Sequence, residues 1–96
     1  MRIVWTERAQ LRLQEIHDYI AQDQPQNAQR MVDRLIRRGD QIDQHPYSGR
    51  EVPEYQREEI REIIEGAYRI IYRILPDCIE VMTVRHGSQM QPSELD

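Results

Sequence analysis

Lysine is missing from this chain of 96 residues, and so is phenylalanine; there is one cysteine, one tryptophan and only four glycines. Each shortage excludes something. With Cys78 alone no internal disulfide can form, so stability has to come from a packed core, and a reducing, cytoplasmic setting is expected. No apolar run approaches the roughly 18 residues of a membrane span, and the N-terminus has no secretory pattern, so no membrane partner is expected. His17 and His45 have no cysteine or histidine neighbours at a metal-ligand spacing, so neither a metal nor another cofactor is expected.

All thirteen basic side chains are therefore arginine, against seventeen acidic ones, for a formal charge of -4. A grip on nucleic acid through many phosphates needs a basic excess, so this balance argues against broad DNA or RNA binding and leaves only a local patch open. The guanidinium fork suits carboxylate or phosphate, and coding bias would give the same composition. Charged residues make up 31% and hydrophobic ones 39%, which fits one folded domain over residues 1–96 with a highly polar surface.

The chain opens with a short strand, MRIVW, in which Ile3 and Trp5 share a side. Thr6 is a helix N-cap candidate. Ala9, Leu13, Ile16 and Ile20 then recur on one stripe of an amphipathic helix from about Thr6 to Gln22. DQPQ breaks it, and Pro25 suits the first turn of a second helix running toward Gln44, with Ala28, Val32, Leu35, Gly39 and Ile42 as its buried stripe. Gly39 is expected there for close approach of the first helix. After the irregular segment HPYSGREVPEY, three strands follow: REEIREII, AYRIIYRIL and CIEVMTVRH, with turns at Gly66 and Pro76-Asp77. The resulting order, β-α-α-β-β-β, is an α+β fold: an antiparallel helical hairpin packed on one face of a mainly antiparallel sheet. The tail MQPSELD is expected to fray unless something docks on it.

Two arginines interrupt the apolar stretch GAYRIIYRI, residues 66 to 74, at Arg69 and Arg73. Arginine is seldom buried unpaired, so the side it faces matters. An even-numbered loop at Pro76-Asp77 places Arg73 opposite Glu80 as a cross-strand ion pair and sorts the side chains. One face takes Ile70, Tyr72, Ile74, Ile79, Val81 and Thr83 and meets the helices. The other takes Arg69, Ile71, Arg73, Glu80, Met82, Val84 and His86, with Arg69 diagonally beside His86. Nothing else in so short a chain is expected to cover that second face, which makes Arg69, Ile71, Arg73, Met82, Val84 and His86 the candidate partner-binding surface. A solvated face with ordinary ion pairs is the alternative. Of the tyrosines, Tyr19, Tyr47, Tyr55 and Tyr72 read as packing residues, and Tyr68 lies near the functional edge.

The element order, with HPYSGREVPEY, REIIEGAYRIIYRI and TVRHG in sequence, resembles the ParE/RelE superfamily of bacterial type II toxins over essentially the whole chain. The resemblance implies a complex with a ParD-like antitoxin and one of two targets. ParE-like members poison DNA gyrase and are not enzymes. RelE-like members cut mRNA on the ribosome, which needs a base, an acid and cationic groups for the phosphorane. In the YoeB-like pattern these roles map onto Glu51 as base, Arg69 as phosphate stabiliser and His86 as acid. Here Gly87 follows His86 where those nucleases have an aromatic residue, and the lysines of RelE proper are absent. An acidic chain is also poorly suited to rRNA. The ParE-like reading, a gyrase poison without catalytic residues, therefore leads, with the ribosome-dependent endoribonuclease as its alternative.

Overall fold

The computed structural model describes residues 1–87. Strand β1 (Arg2–Trp5) leads into helices α1 (Glu7–Ala21) and α2 (Pro25–Asp40); two short 3₁₀ turns, Ile42–Gln44 and Pro46–Ser48, follow. Then come β2 (Arg50–Glu51), β3 (Ile60–Glu65), β4 (Tyr68–Ile74) and β5 (Cys78–His86). The five strands form one sheet in the order β1-β5-β4-β3-β2, with β1 parallel to β5 and the remaining pairs antiparallel. The α+β arrangement matches the sequence-based expectation, with one correction and one addition. Helix α2 ends at Asp40, short of the expected Gln44, so that Ile42 is buried from the following 3₁₀ turn and not from the helix stripe. The segment HPYSGREVPEY is not wholly irregular, because Arg50 and Glu51 pair with Glu62 and Arg61 as an edge strand too short for a periodic signal. The tail MQPSELD lies outside the described residues.

Local chemistry sets the helix boundaries. Thr6 caps α1 by accepting a hydrogen bond from the Ala9 amide at 3.0 Å. Pro25 sits in the first turn of α2, where its missing N–H costs nothing. The two helices cover one sheet face, burying Leu13 and Leu35 against Ile63, Ile70, Tyr72 and Val81. Gly39 permits close approach, but of Trp5 rather than of α1: a Cβ at Gly39 would overlap Trp5 Cζ2 and lie 2.8 Å from Cη2. The indole is fixed there by its Nε1–H, which donates to Asp40 Oδ1 at 3.0 Å.

Both hairpin turns have two residues between the paired positions. Gly66, at φ 60°, supplies the positive dihedral that the Glu65–Tyr68 turn needs at its first central position. At Pro76-Asp77 the Leu75 amide donates to the Cys78 carbonyl at 2.9 Å, and the even register pairs Ile74 with Ile79, Arg73 with Glu80 and Tyr72 with Val81, as expected. Beyond Val81 the register slips. Ile71 pairs with Thr83, Ile70 with Val84, Arg69 with Arg85 and Tyr68 with His86, so Met82 is an extra residue in a β-bulge. One inserted residue inverts every side chain after it. Val84 and His86 are therefore on the helix side, correcting their expected place on the arginine face, and Thr83, expected against the helices, lies instead on the outer side with Arg85.

The bulge is tied to the first helix. The Thr6 hydroxyl that caps α1 donates to the Met82 carbonyl at 2.9 Å, and the Thr6 amide donates to the Val81 carbonyl at 3.1 Å. One residue thus starts the helix and satisfies the backbone of the slipped strand.

Replacing Gly39 with alanine gains about 1 kcal/mol of helix propensity but forces a methyl into the held indole, an overpacking worth about 1–3 kcal/mol. The Gly39→Ala chain is expected to unfold at lower urea than the parent; an unchanged or higher midpoint would show that Trp5 yields freely.

Candidate partner-binding surface

Arg69 and Arg73 both point away from the helices, as the alternation requires, but their surroundings differ sharply. Arg73 extends Nη2 to Glu80 Oε1 at 2.8 Å, with about a third of its side chain exposed. Arg69 is 6% exposed. Its Nε donates to Glu62 Oε1 at 2.7 Å, and its Nη1 and Nη2 each reach a different oxygen of Glu54 at 3.0 Å. Arg50 Nε donates to the second oxygen of Glu62. The four residues form a chain, Arg50–Glu62–Arg69–Glu54, whose formal charges cancel.

Each link has a cause in the fold. Glu62 lies on the outer side of β3, aligned with Arg50 on β2 and Ile71 on β4. Glu54 comes from the segment after β2, which folds back across the sheet. That segment also buries Val52, which packs with Ile60 and Ile71, while half-buried Tyr55 closes the edge. Ile71 is 0% exposed. Residues 52–58 thus cover part of the face expected to be bare. The expectation failed because β2 and its return segment carry no periodic signal in HPYSGREVPEY.

Electrostatics agree with the geometry. The hydrogen bond from Arg69 holds the Glu54 carboxyl below its ordinary range against the opposing effect of burial. The same bond raises the Arg69 guanidinium above its ordinary value, again against desolvation. Arg85 stands directly opposite Arg69 across the ladder, a like-charge pairing that the two carboxylates on Arg69 outweigh.

The residues expected to form one patch therefore separate. Arg73 remains half-buried on the outer side, Met82 is half-buried at the bulge, and Ile64, which aligns with Arg69, adds an apolar side chain 50% exposed on the outer side. Arg69 and Ile71 lie beneath the return segment. Val84 is 1% exposed in the helix-side core. His86 packs edge-on against Tyr68 on the helix side, the ring centroids 5.8 Å apart, at the mouth of a cleft of about 480 Å³ between α1 and the ends of β4 and β5. Arg12, Tyr19 and Arg85 also line that cleft.

Glu51, Arg69 and His86 are not brought together. Glu51 aligns through Arg61 and Tyr72 with Val81, whereas His86 aligns with Tyr68, four residues along β4 from Tyr72 and three strands from β2. Three strand steps and four residues amount to roughly 20 Å, and general acid–base pairs act over about 3 Å. Arg69 faces the opposite side of the sheet from His86, with both of its forks taken by carboxylates. Among the described residues no group of three His, Cys, Asp or Glu could hold a metal ion.

Sequence reasoning missed Glu54 and Glu62 as the partners of Arg69. The available signal was Glu62 itself, an acidic residue at an outward position of a strand neighbouring Arg69. Glu54 had no periodic signal.

A helical hairpin on one face of a five-stranded mixed sheet, with a return segment braced across the other, defines a small two-layer α+β fold. The match to the family of ParE toxins of type II toxin–antitoxin systems extends over residues 3–91, and the chain belongs to that family. It is 40% identical over 96 residues to the putative toxin Y4kP of Sinorhizobium fredii, covering 98% of this chain and 96% of the relative. It is 33% identical over 89 residues to the toxin RelE2 of Caulobacter vibrioides, covering 93% and 98%. A solved chromosomal ParDE toxin–antitoxin system from P. aeruginosa has the same fold, with a TM-score of 0.77 over 90% of this chain and 95% of that one at 19% identity. The protein is thus a type II toxin of the ParE/RelE superfamily, a class that works with an antitoxin partner.

Breaking the buried pair by Arg69→Ala should destabilise the fold by about 3–5 kcal/mol, because Glu62 keeps its burial and loses a partner. The double variant Arg69→Met with Glu62→Leu should recover most of that loss. Urea unfolding of the two variants checks this; a double variant no more stable than Arg69→Ala would mean that the outer face depends on the charges themselves.

Proposed function

We propose that this toxin is a ParE-like poison of DNA gyrase, acting in the cytoplasm, held in check by a ParD-like antitoxin and free of catalytic chemistry of its own. The observation that carries this reading is the dispersal of Glu51, Arg69 and His86: a base and an acid roughly 20 Å apart cannot serve one phosphodiester. The cation assigned to the phosphorane has its donors engaged by Glu54 and Glu62. The ribosome-dependent endoribonuclease stays as the second reading because two relatives, from Caulobacter vibrioides, bear RelE names.

Purified toxin added to gyrase should block supercoiling and accumulate cleaved DNA, while mRNA on translating ribosomes stays intact. Glu51→Ala and His86→Ala should each leave toxicity within a few-fold of the parent. A loss of about a hundredfold or more from either, with the fold intact, is the effect of removing a general acid or base and would favour the nuclease.

The antitoxin site we place on what remains accessible of the outer face, around Arg73, Met82 and Ile64. A segment disordered alone would lay apolar side chains on Met82 and Ile64 and an acidic residue against Arg73, which has a buried Nε without a hydrogen-bond partner. Arg73→Ala should weaken the complex by about 2 kcal/mol, whereas Arg8→Ala, on an exposed helix surface, should cost little. Calorimetric titration of the antitoxin's C-terminal segment into both variants decides it; equal affinity for both would move the site elsewhere.

A further inference from the structure

An acidic chain carries one conspicuously basic element. Helix α2 holds Arg30, Arg34, Arg37 and Arg38 against Asp33 and Asp40, so its formal charge is +2 within a chain of -4. At 100° per residue Arg30, Arg34 and Arg37 fall within one narrow arc opposite buried Ala28, Leu35 and Gly39, and Arg38 lies beside them. The row rises about 12 Å from Arg30 to Arg38.

The arginines differ in what already holds them. Arg34 and Arg38 share one carboxylate, Glu65, at 2.6 and 3.9 Å. Arg30 and Arg37 are exposed, and no acidic side chain among the described residues pairs with either. Asp33, between them on the helix, accepts a hydrogen bond from Gln29 at 2.9 Å. Asp40 accepts from Trp5. Gln26, Asn27 and Gln29 complete the exposed polar side, and the exposed apolar residues near the row lie at its borders: Ile36, 37% exposed, about 120° around the helix from Arg30, and Tyr19 of α1, in the cleft that Arg30 and Arg34 also line.

We propose that the α2 arginine row is a contact surface for the sugar–phosphate backbone of duplex DNA. A mainly polar helix face on which the Arg30 and Arg37 forks have no acidic partner among the described residues matches a regular line of phosphates. One DNA strand presents a phosphate every 3.4 Å of axis, so about 12 Å of helix spans three or four of them. Such contacts position a protein without reading sequence. The net acidic charge does not cancel them at close range, because screening limits opposing charges to about 8–10 Å at physiological salt. The surface lies on α2, apart from the outer sheet face placed against the antitoxin, and the inference stands whichever cellular target the toxin has.

The test is fluorescence anisotropy of a labelled 24-base-pair duplex with the full chain, from 25 to 150 mM salt. The parent should bind at the low end, with log K falling against log[salt] at a slope of about -3. Arg30→Gln with Arg37→Gln should flatten that slope by about 2 and weaken binding about tenfold or more at the lowest salt. Arg2→Gln with Arg8→Gln makes the same change in net charge elsewhere on the surface and should leave the slope unchanged. Circular dichroism confirms that both doubles remain folded, as fits their exposed positions. Equal binding by the two double variants would overturn the proposal, as would no duplex binding by the parent at 25 mM salt. Tighter capture of polyglutamate, or of a single-stranded oligonucleotide, than of the duplex would also overturn it, in favour of an acidic polypeptide or an unpaired strand.

Discussion

A single inserted residue in the last strand decides what each side of this sheet is made of. Without Met82 as a bulge, Val84 would leave the helix-side core and Thr83 would enter it, along with every later position of β5 in alternation. The insertion is stable because its backbone is satisfied from outside the sheet. Thr6 supplies that satisfaction with the same hydroxyl that starts α1. Helix entry, parallel strand and slipped strand therefore form one unit, and the register of β5 is tied to the position of the hairpin above it. The consequence reaches function: the bulge puts His86 on one side of the sheet and leaves Arg69 on the other.

The outer side is organised by charge rather than by apolar area. Val52, Ile60 and Ile71 make only a small cluster. The return segment is held in addition by Glu54, which grips both terminal nitrogens of Arg69 in a fork-to-fork contact that fixes direction as well as distance. An ion pair so placed contributes modestly to net stability, since desolvation offsets much of the attraction. Its larger effect is geometric. It fixes where residues 52–58 lie and so how much of β3 and β4 a partner can reach.

Much of the architecture was legible in the residues. The helical stripes, the proline at the start of α2, the two turns and the ion pair of Arg73 with Glu80 all follow from periodicity and turn chemistry, and the pairing near Pro76-Asp77 holds as derived. Legibility ended where a local rule is broken by a distant group. A bulge has no signature in CIEVMTVRH, because Met82, Thr83 and Val84 are each acceptable on either side of a strand, and what stabilises the slip is Thr6, some 76 residues earlier. Strand β2 was invisible for a different reason: two residues cannot show an alternation. The partners of Arg69 were half legible, through Glu62 alone.

The fate of Arg69 shows why matching residue types to a family's chemistry is weaker than locating them. An arginine in that strand can hold a phosphorane only if its donors face an open site; here three nitrogens are spent on two carboxylates and the side chain is buried. The same residue type in the same strand therefore serves as scaffold, and the acid and base candidates lie on edge and terminal positions far apart. Fold does not carry activity by itself, and the site must be assembled in space before a reaction can be assigned. In this chain the charges that remain unspent are elsewhere. Carboxylates and guanidinium groups neutralise one another across β2, β3 and β4, whereas Arg30 and Arg37 on α2 have no such partner among the described residues, so the outward field of an acidic protein is locally positive along that helix.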